Sequence, residues 1–206
     1  MTVSSLLCSK NRLDPTAPLR ALLLVAALLL AAFAPLAQAQ STASIRYAEL
    51  LPTDDQYILN ADISVELNPR LEEIVLRGIA LNFVAECILT RSRWYWLDET
   101  IVERRVGYRL TYHALTQKYR LAVGALGQNF DSLGEALRTM TRLRNWSIVD
   151  RSRLRGGDSY NVALRFRLDT EQLPKPFQVT AIGSRDWSLE TDWSRWTFLA
   201  APAEHR

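Results

Sequence analysis

Histidine and cysteine are almost missing from this chain of 206 residues; His113, His205, Cys8 and Cys87 are the full complement. Zinc, copper and haem centres draw heavily on those two residue types, so no metal centre and no cofactor is expected. A Ser-His-Asp triad would have to rest on His113, in Tyr112-His113-Ala114-Leu115, because His205 stands one residue from the C-terminus. No glycine-rich phosphate loop is present: Gly156-Gly157 falls in a predicted hairpin turn and not ahead of a helix. Lysine is scarce as well, since beyond residue 39 only Lys118 and Lys175 stand beside 20 arginines. Arginine forms bidentate pairs with carboxylates that lysine does not match, and a GC-rich genome preferring arginine codons is the simpler source of the bias.

A hydrophobic run long enough to span a membrane is also lacking. Ala21 to Ala34 is apolar but Pro35 ends it, leaving about fourteen residues where a spanning helix needs roughly twenty. Lys10, Arg12 and Arg20 come before it and Ala37-Gln38-Ala39 after it, the order of a secretory signal peptide cleaved after Ala39. The expected organisation is a cleaved signal over 1–39 and a single β-rich periplasmic domain over 40–206, with no stable membrane span after cleavage. Cys8 precedes the apolar run, the wrong side for a lipid-modified cysteine, and is lost with the signal. Cys87 then stands alone, so no intramolecular disulfide is expected despite an oxidising compartment, and stability must come from the core. Beyond residue 39 the charges balance at 22 basic against 21 acidic. That argues against a nucleic-acid binder held by counterion release, which needs a net basic footprint.

Period-two alternation dominates the rest. Tyr57, Leu59, Ala61, Ile63, Val65 and Leu67 oppose Ile58, Asn60, Asp62 and Ser64, a strand with one buried and one wet face. Asn68-Pro69 then offers an N-cap and first-turn proline, with Leu71, Ile74 and Val75 as an apolar stripe and Gly78 as a stop. Alternation from Ile79 to Leu89, running on toward Trp94-Tyr95-Trp96, puts Cys87 on the apolar face, where it reads as a small buried hydrophobe. Val102 to Tyr112 and Tyr119 to Val123 make a predicted hairpin pair. A helical period joins Phe130, Leu133, Leu137, Met140 and Leu143, with Ser132 and Glu135 as a capping box; Arg138, Arg142 and Arg144 lie off that face, as a solvated surface or a partner-docking patch. Trp146 to Val149 and Tyr160 to Leu168 flank the Gly156-Gly157-Asp158 turn. Leu173-Pro174-Lys175-Pro176-Phe177 is expected to run extended, as an edge or crossover, and a last strand is expected from Trp187 to Phe198. Roughly eight strands with two short helices in connections predict a mainly β fold, an antiparallel β-sandwich of immunoglobulin-like general architecture.

Tryptophan is the unusual component, at 94, 96, 146, 187, 193 and 196. Trp187 and Trp193 share strand parity while Trp196 falls on the other unless a bulge intervenes. Core filling accounts for most of the six. The exposed remainder forms the candidate interaction surface: Trp94, Trp96, Trp193 and Trp196 with Arg93 and Arg195, suited to anchoring a partner or stacking on sugars. Asp186, Glu190 and Asp192 form the nearest carboxylate cluster, read as a solvated strand face because a calcium loop or glycosidase pair needs convergent oxygens.

The segments Arg77-Gly78-Ile79-Ala80-Leu81 with Phe83, Arg93-Trp94-Tyr95-Trp96, Leu110-Thr111-Tyr112-His113-Ala114-Leu115-Thr116, Leu168-Asp169 with Leu173-Pro174-Lys175-Pro176-Phe177-Gln178, Asp186-Trp187 and Asp192-Trp193 carry a resemblance over the whole of residues 40–206. Together they are similar to a family of uncharacterised exported proteobacterial proteins, a domain of unknown function also labelled proline-rich signal peptide proteins. The resemblance implies no known activity, cofactor or catalytic residue. It also implies genetic proximity to membrane histidine kinases of the nitrogen-regulation type, hence a periplasmic accessory to an envelope sensor. The reading is a non-catalytic protein-interaction module with an envelope protein as partner, a membrane histidine kinase among the possibilities; the alternative is a glycan-binding domain using the same tryptophans. A hydrolase would need a cleft holding His113 or Asp186, Glu190 and Asp192.

Overall fold

The alternating segments pair into two antiparallel sheets. The structure, a computed structural model, describes residues 42–93 and 98–201. Its elements run β1 (Thr42–Pro52), β2 (Gln56–Glu66), α1 (Pro69–Leu76), β3 (Leu81–Arg91), β4 (Glu99–His113), β5 (Lys118–Val123), β6 (Leu126–Phe130), α2 (Leu133–Thr141), β7 (Arg142–Asp150), β8 (Ser159–Leu168), α3 (Lys175–Ala181) and β9 (Ser194–Leu199). Short 3-10 turns occupy Arg151–Arg153, Thr170–Gln172 and Arg185–Trp187. One sheet is three-stranded, in the order β1-β2-β7; the other is six-stranded, in the order β6-β5-β4-β3-β8-β9.

The two sheets bury one common core, a sandwich-like arrangement. Tyr57, Leu59, Ala61 and Ile63 come from β2, Phe83, Ala85, Cys87 and Leu89 from β3, and Tyr160, Val162, Leu164 and Phe166 from β8. Phe83 and Phe166 stack at 5.8 Å, a geometry that adds about 0.5–1.5 kcal/mol beyond area burial. Tyr57 of the smaller sheet meets Phe198 of the larger at 5.4 Å, and Arg104 of β4 donates from Nε to the Ile148 carbonyl of β7 at 3.0 Å. α1 forms where expected: the buried Asn68 side chain accepts from the Leu71 N–H at 2.8 Å, and Gly78 leaves the helix at φ +82°. Gly78 can adopt that backbone because it has no Cβ to clash.

Several local expectations need correction. β1 and β6 are strands that the alternation did not reveal; β1 carries a register shift between Ile45 and Tyr47, and β6 is exposed over most of its length. α2 spans only Leu133–Thr141, so Phe130 ends β6 and Leu143 belongs to β7, whose inward parity prolongs the helical stripe by coincidence. The turn at Gly156-Gly157 closes no hairpin, because β7 and β8 lie in different sheets and the connection crosses between them. Leu173-Pro174 is extended, but Lys175 onward is helical: Pro176 sits in the first turn, where its missing N–H costs nothing. The expected strand from Trp187 is broken. Trp187 lies buried in a 3-10 turn, Glu190 makes an isolated bridge to Arg167, and pairing resumes only at Ser194.

Candidate interaction face

Strand parity sorts the larger sheet into a buried face and an outer face. On β9, Ser194, Trp196 and Phe198 turn inward while Arg195, Thr197 and Leu199 turn outward. Trp196 pairs with Val162 and packs, half-buried, against the core. Trp193 precedes the strand and stands among guanidiniums: Arg165 lies over its ring at 4.5 Å and Arg195 at 5.9 Å. Both contacts fall within cation–π range. Trp193, Arg195 and Trp196 border a depression of about 540 Å³ whose other walls include Ile88, Ala163 and Asp98. Three of the sequence-predicted surface residues therefore meet at one place.

The other predicted surface residues do not all join them. Arg93 is held in an ion pair with Glu99 at 2.5 Å, and Arg91 meets the same carboxylate at 2.5 Å. Those two guanidiniums hold the Glu99 carboxyl below the usual carboxylate range. Trp94 and Trp96 lie outside the described residues. Trp146 is half-buried against the core, and Trp187 packs on Phe177 at 5.7 Å.

At the centre of the outer face is a group that no local sequence pattern marks. Glu86, in the middle of β3, has a side chain only 4 % exposed. Its Oε2 accepts from Arg165 at 2.6 and 3.2 Å, its Oε1 accepts from Arg167 at 3.1 Å, and Arg105 approaches Oε1 at 3.4 Å. Burial works to raise the Glu86 pKa, but the hydrogen bonds and charges of Arg165 and Arg167 outweigh it, and the carboxyl titrates below its ordinary range. Register produces this knot: Glu86 pairs with Arg105 of β4 on one side and Arg165 of β8 on the other. The alternation of β3, β4 and β8 was legible, but which rows lie side by side was not.

The residues weighed for catalysis stay apart. Cys87 faces the core, and burial pushes its thiol up to about 12, so it is held as the unreactive thiol. His113 is exposed at the end of β4 opposite Lys118, and its side chain has no hydrogen-bond or ion-pair partner among the described residues. The Asp186 carbonyl accepts from Asn68 Nδ2 at 2.8 Å, tying the 3-10 turn to α1, while Glu190 lies opposite Arg167. Among the described residues no three His, Cys, Asp or Glu side chains are grouped to hold a metal ion, and no helix is long and apolar enough to cross a membrane.

No curated protein and no solved structure matches the chain. The model of a family described as a domain of unknown function, DUF4390, matches residues 40–197. With that match running from two residues before β1 well into β9, the chain belongs to the DUF4390 family.

Proposed function

We propose that this chain is an exported, non-catalytic protein-interaction module that engages an envelope protein through the outer face of its six-stranded sheet. The observation that carries the reading is Trp193, kept off the core and framed by Arg165 and Arg195 beside a depression of about 540 Å³. Tryptophan and arginine are the side chains that most often anchor protein interfaces. Export after cleavage at Ala39 is supported by the family match starting at Gln40. The glycan alternative needs a free indole face, and the Arg165 guanidinium lies over the Trp193 ring at 4.5 Å. A membrane histidine kinase is one candidate partner, and accessory service to an envelope sensor is the role that would follow.

Two measurements test this. Tryptophan emission is recorded during titration with peptidoglycan fragments, and a photoreactive residue at position 193 is irradiated in cells before mass spectrometry of the envelope fraction. The expected result is unchanged emission with one dominant protein adduct. Saturable emission changes without an adduct would replace the proposal with the glycan reading.

A further inference from the structure

A second depression opens on the same outer face, of about 430 Å³, over Val84, Gly107 and Ala122. Arg105, Gly107 and Arg109 share one side of β4, so a residue without a side chain separates two guanidiniums. Nothing lies within 4 Å of where a Cβ on Gly107 would stand. Val84, paired with Gly107, continues the floor to Arg167 on β8. Alternation alone places Arg105 and Arg109 about 13 Å apart along the strand, which leaves room for a short acidic side chain between them.

The charges around this trough do not balance. Arg105, Arg165 and Arg167 are met by Glu86, Glu103 and Asp169. Arg109 has no acidic partner among the described residues, and neither does Arg120 on the same face. Arg167 also keeps a buried donor, Nε, without an acceptor. Because the chain beyond residue 39 is close to neutral, the excess positive charge is local to this face and suits a short acidic segment better than a long polyanion.

We propose that the trough between Arg105, Arg109 and Arg167 is a carboxylate-binding subsite that takes an Asp- or Glu-bearing segment of the protein partner. This rests on the interaction-module reading and adds to it the chemistry of the partner. The planar guanidinium fork matches a carboxylate in two parallel hydrogen bonds. The Trp193 depression lies on the same face beyond the Glu86 knot, so one extended segment can present an acidic residue to the trough and an apolar one to Trp193.

The test is fluorescence anisotropy of a fluorescein-labelled octaglutamate peptide with the full chain beyond residue 39, in low salt. Losing one charge-assisted fork in Arg109→Gln is expected to weaken binding about tenfold. Gly107→Val fills the floor without strand strain and is expected to weaken binding similarly while leaving the melting temperature unchanged or higher. Arg46→Gln, exposed on β1 of the three-stranded sheet, is the charge control and should bind as the parent does. Absence of binding by the parent, or equal losses in Arg109→Gln and Arg46→Gln, would overturn the subsite. Tripolyphosphate displacing the peptide at far lower concentration than free glutamate peptide would overturn the carboxylate assignment in favour of a free oxoanion. A crosslinker at Ala122 separates this proposal from the one it rests on: adducts from position 193 but not from 122 refute the trough alone, and adducts from neither refute both.

Discussion

Replacing Glu86 by glutamine tests how the larger sheet is held together. The substitution preserves shape and removes one charge from a side chain that is 4 % exposed. Three guanidiniums then converge on a neutral amide whose NH₂ group must face one of them. Removing one partner of a fully buried ion pair typically costs about 3–5 kcal/mol. Here Arg165 and Arg167 are 26 % and 28 % exposed and Arg105 is 61 % exposed, so water relieves part of the cost. A loss of about 2–3 kcal/mol remains after that discount. For a domain of this size it corresponds to a fall of roughly 5–10 °C in melting temperature. Urea titrations followed by far-UV circular dichroism at pH 7 measure it. The pH dependence has a definite sign: Glu86 binds its proton less readily folded than unfolded, so its contribution is present above the unfolded carboxyl pKa and is lost as pH falls through the folded value. The gap between parent and variant should therefore be constant from pH 7 to about pH 5 and close below that. A gap under about 0.5 kcal/mol at pH 7, the size of an ordinary surface substitution, would refute the reasoning.

Three further outcomes follow from burial and contact. The Cys87 thiol should resist Ellman's reagent in the native chain and react completely in urea, because it is buried and its pKa is pushed up to about 12. Asn68→Ala removes both the α1 cap and the tie to the Asp186 carbonyl, and chemical denaturation should register a loss of about 1–2 kcal/mol. Trp187→Ala should cost about 3–5 kcal/mol, since that side chain is 4 % exposed in the core. Trp193→Ala should cost clearly less than Trp187→Ala, because Trp193 is half-buried and lies outside the core, and thermal melts of the two variants side by side distinguish core from periphery.

The sandwich class could be read because β2, β3 and β8 place an apolar residue inward at every second position, as β4 does except at Arg104, and burial of one face enforces that pattern. Asn68-Pro69 and Gly78 likewise fix α1 through local backbone chemistry alone. β6 escaped because its exposed edge position asks for no apolar face, and β1 because its bulge between Ile45 and Tyr47 shifts the parity midway. α3 escaped because the two prolines read as extended chain, although one of them starts a helix. At the candidate site, parity separated Trp193 from Trp196 correctly, yet no local pattern placed Arg165 over the Trp193 ring. The Glu86 knot depends on the register of three strands distant in sequence, information that the alternation within any one of them lacks.

The outer face of the larger sheet is the surface proposed to meet a protein. Photoreactive residues at Thr197, Ala163 and Ile88 on that face, and at Asn60 and Ser64 on the outward side of β2 as controls, allow the two faces to be compared in the same cells. The same protein adduct is expected from the first group and none from the second. Adducts from Asn60 and Ser64 alone would contradict it and move the interaction to the three-stranded sheet.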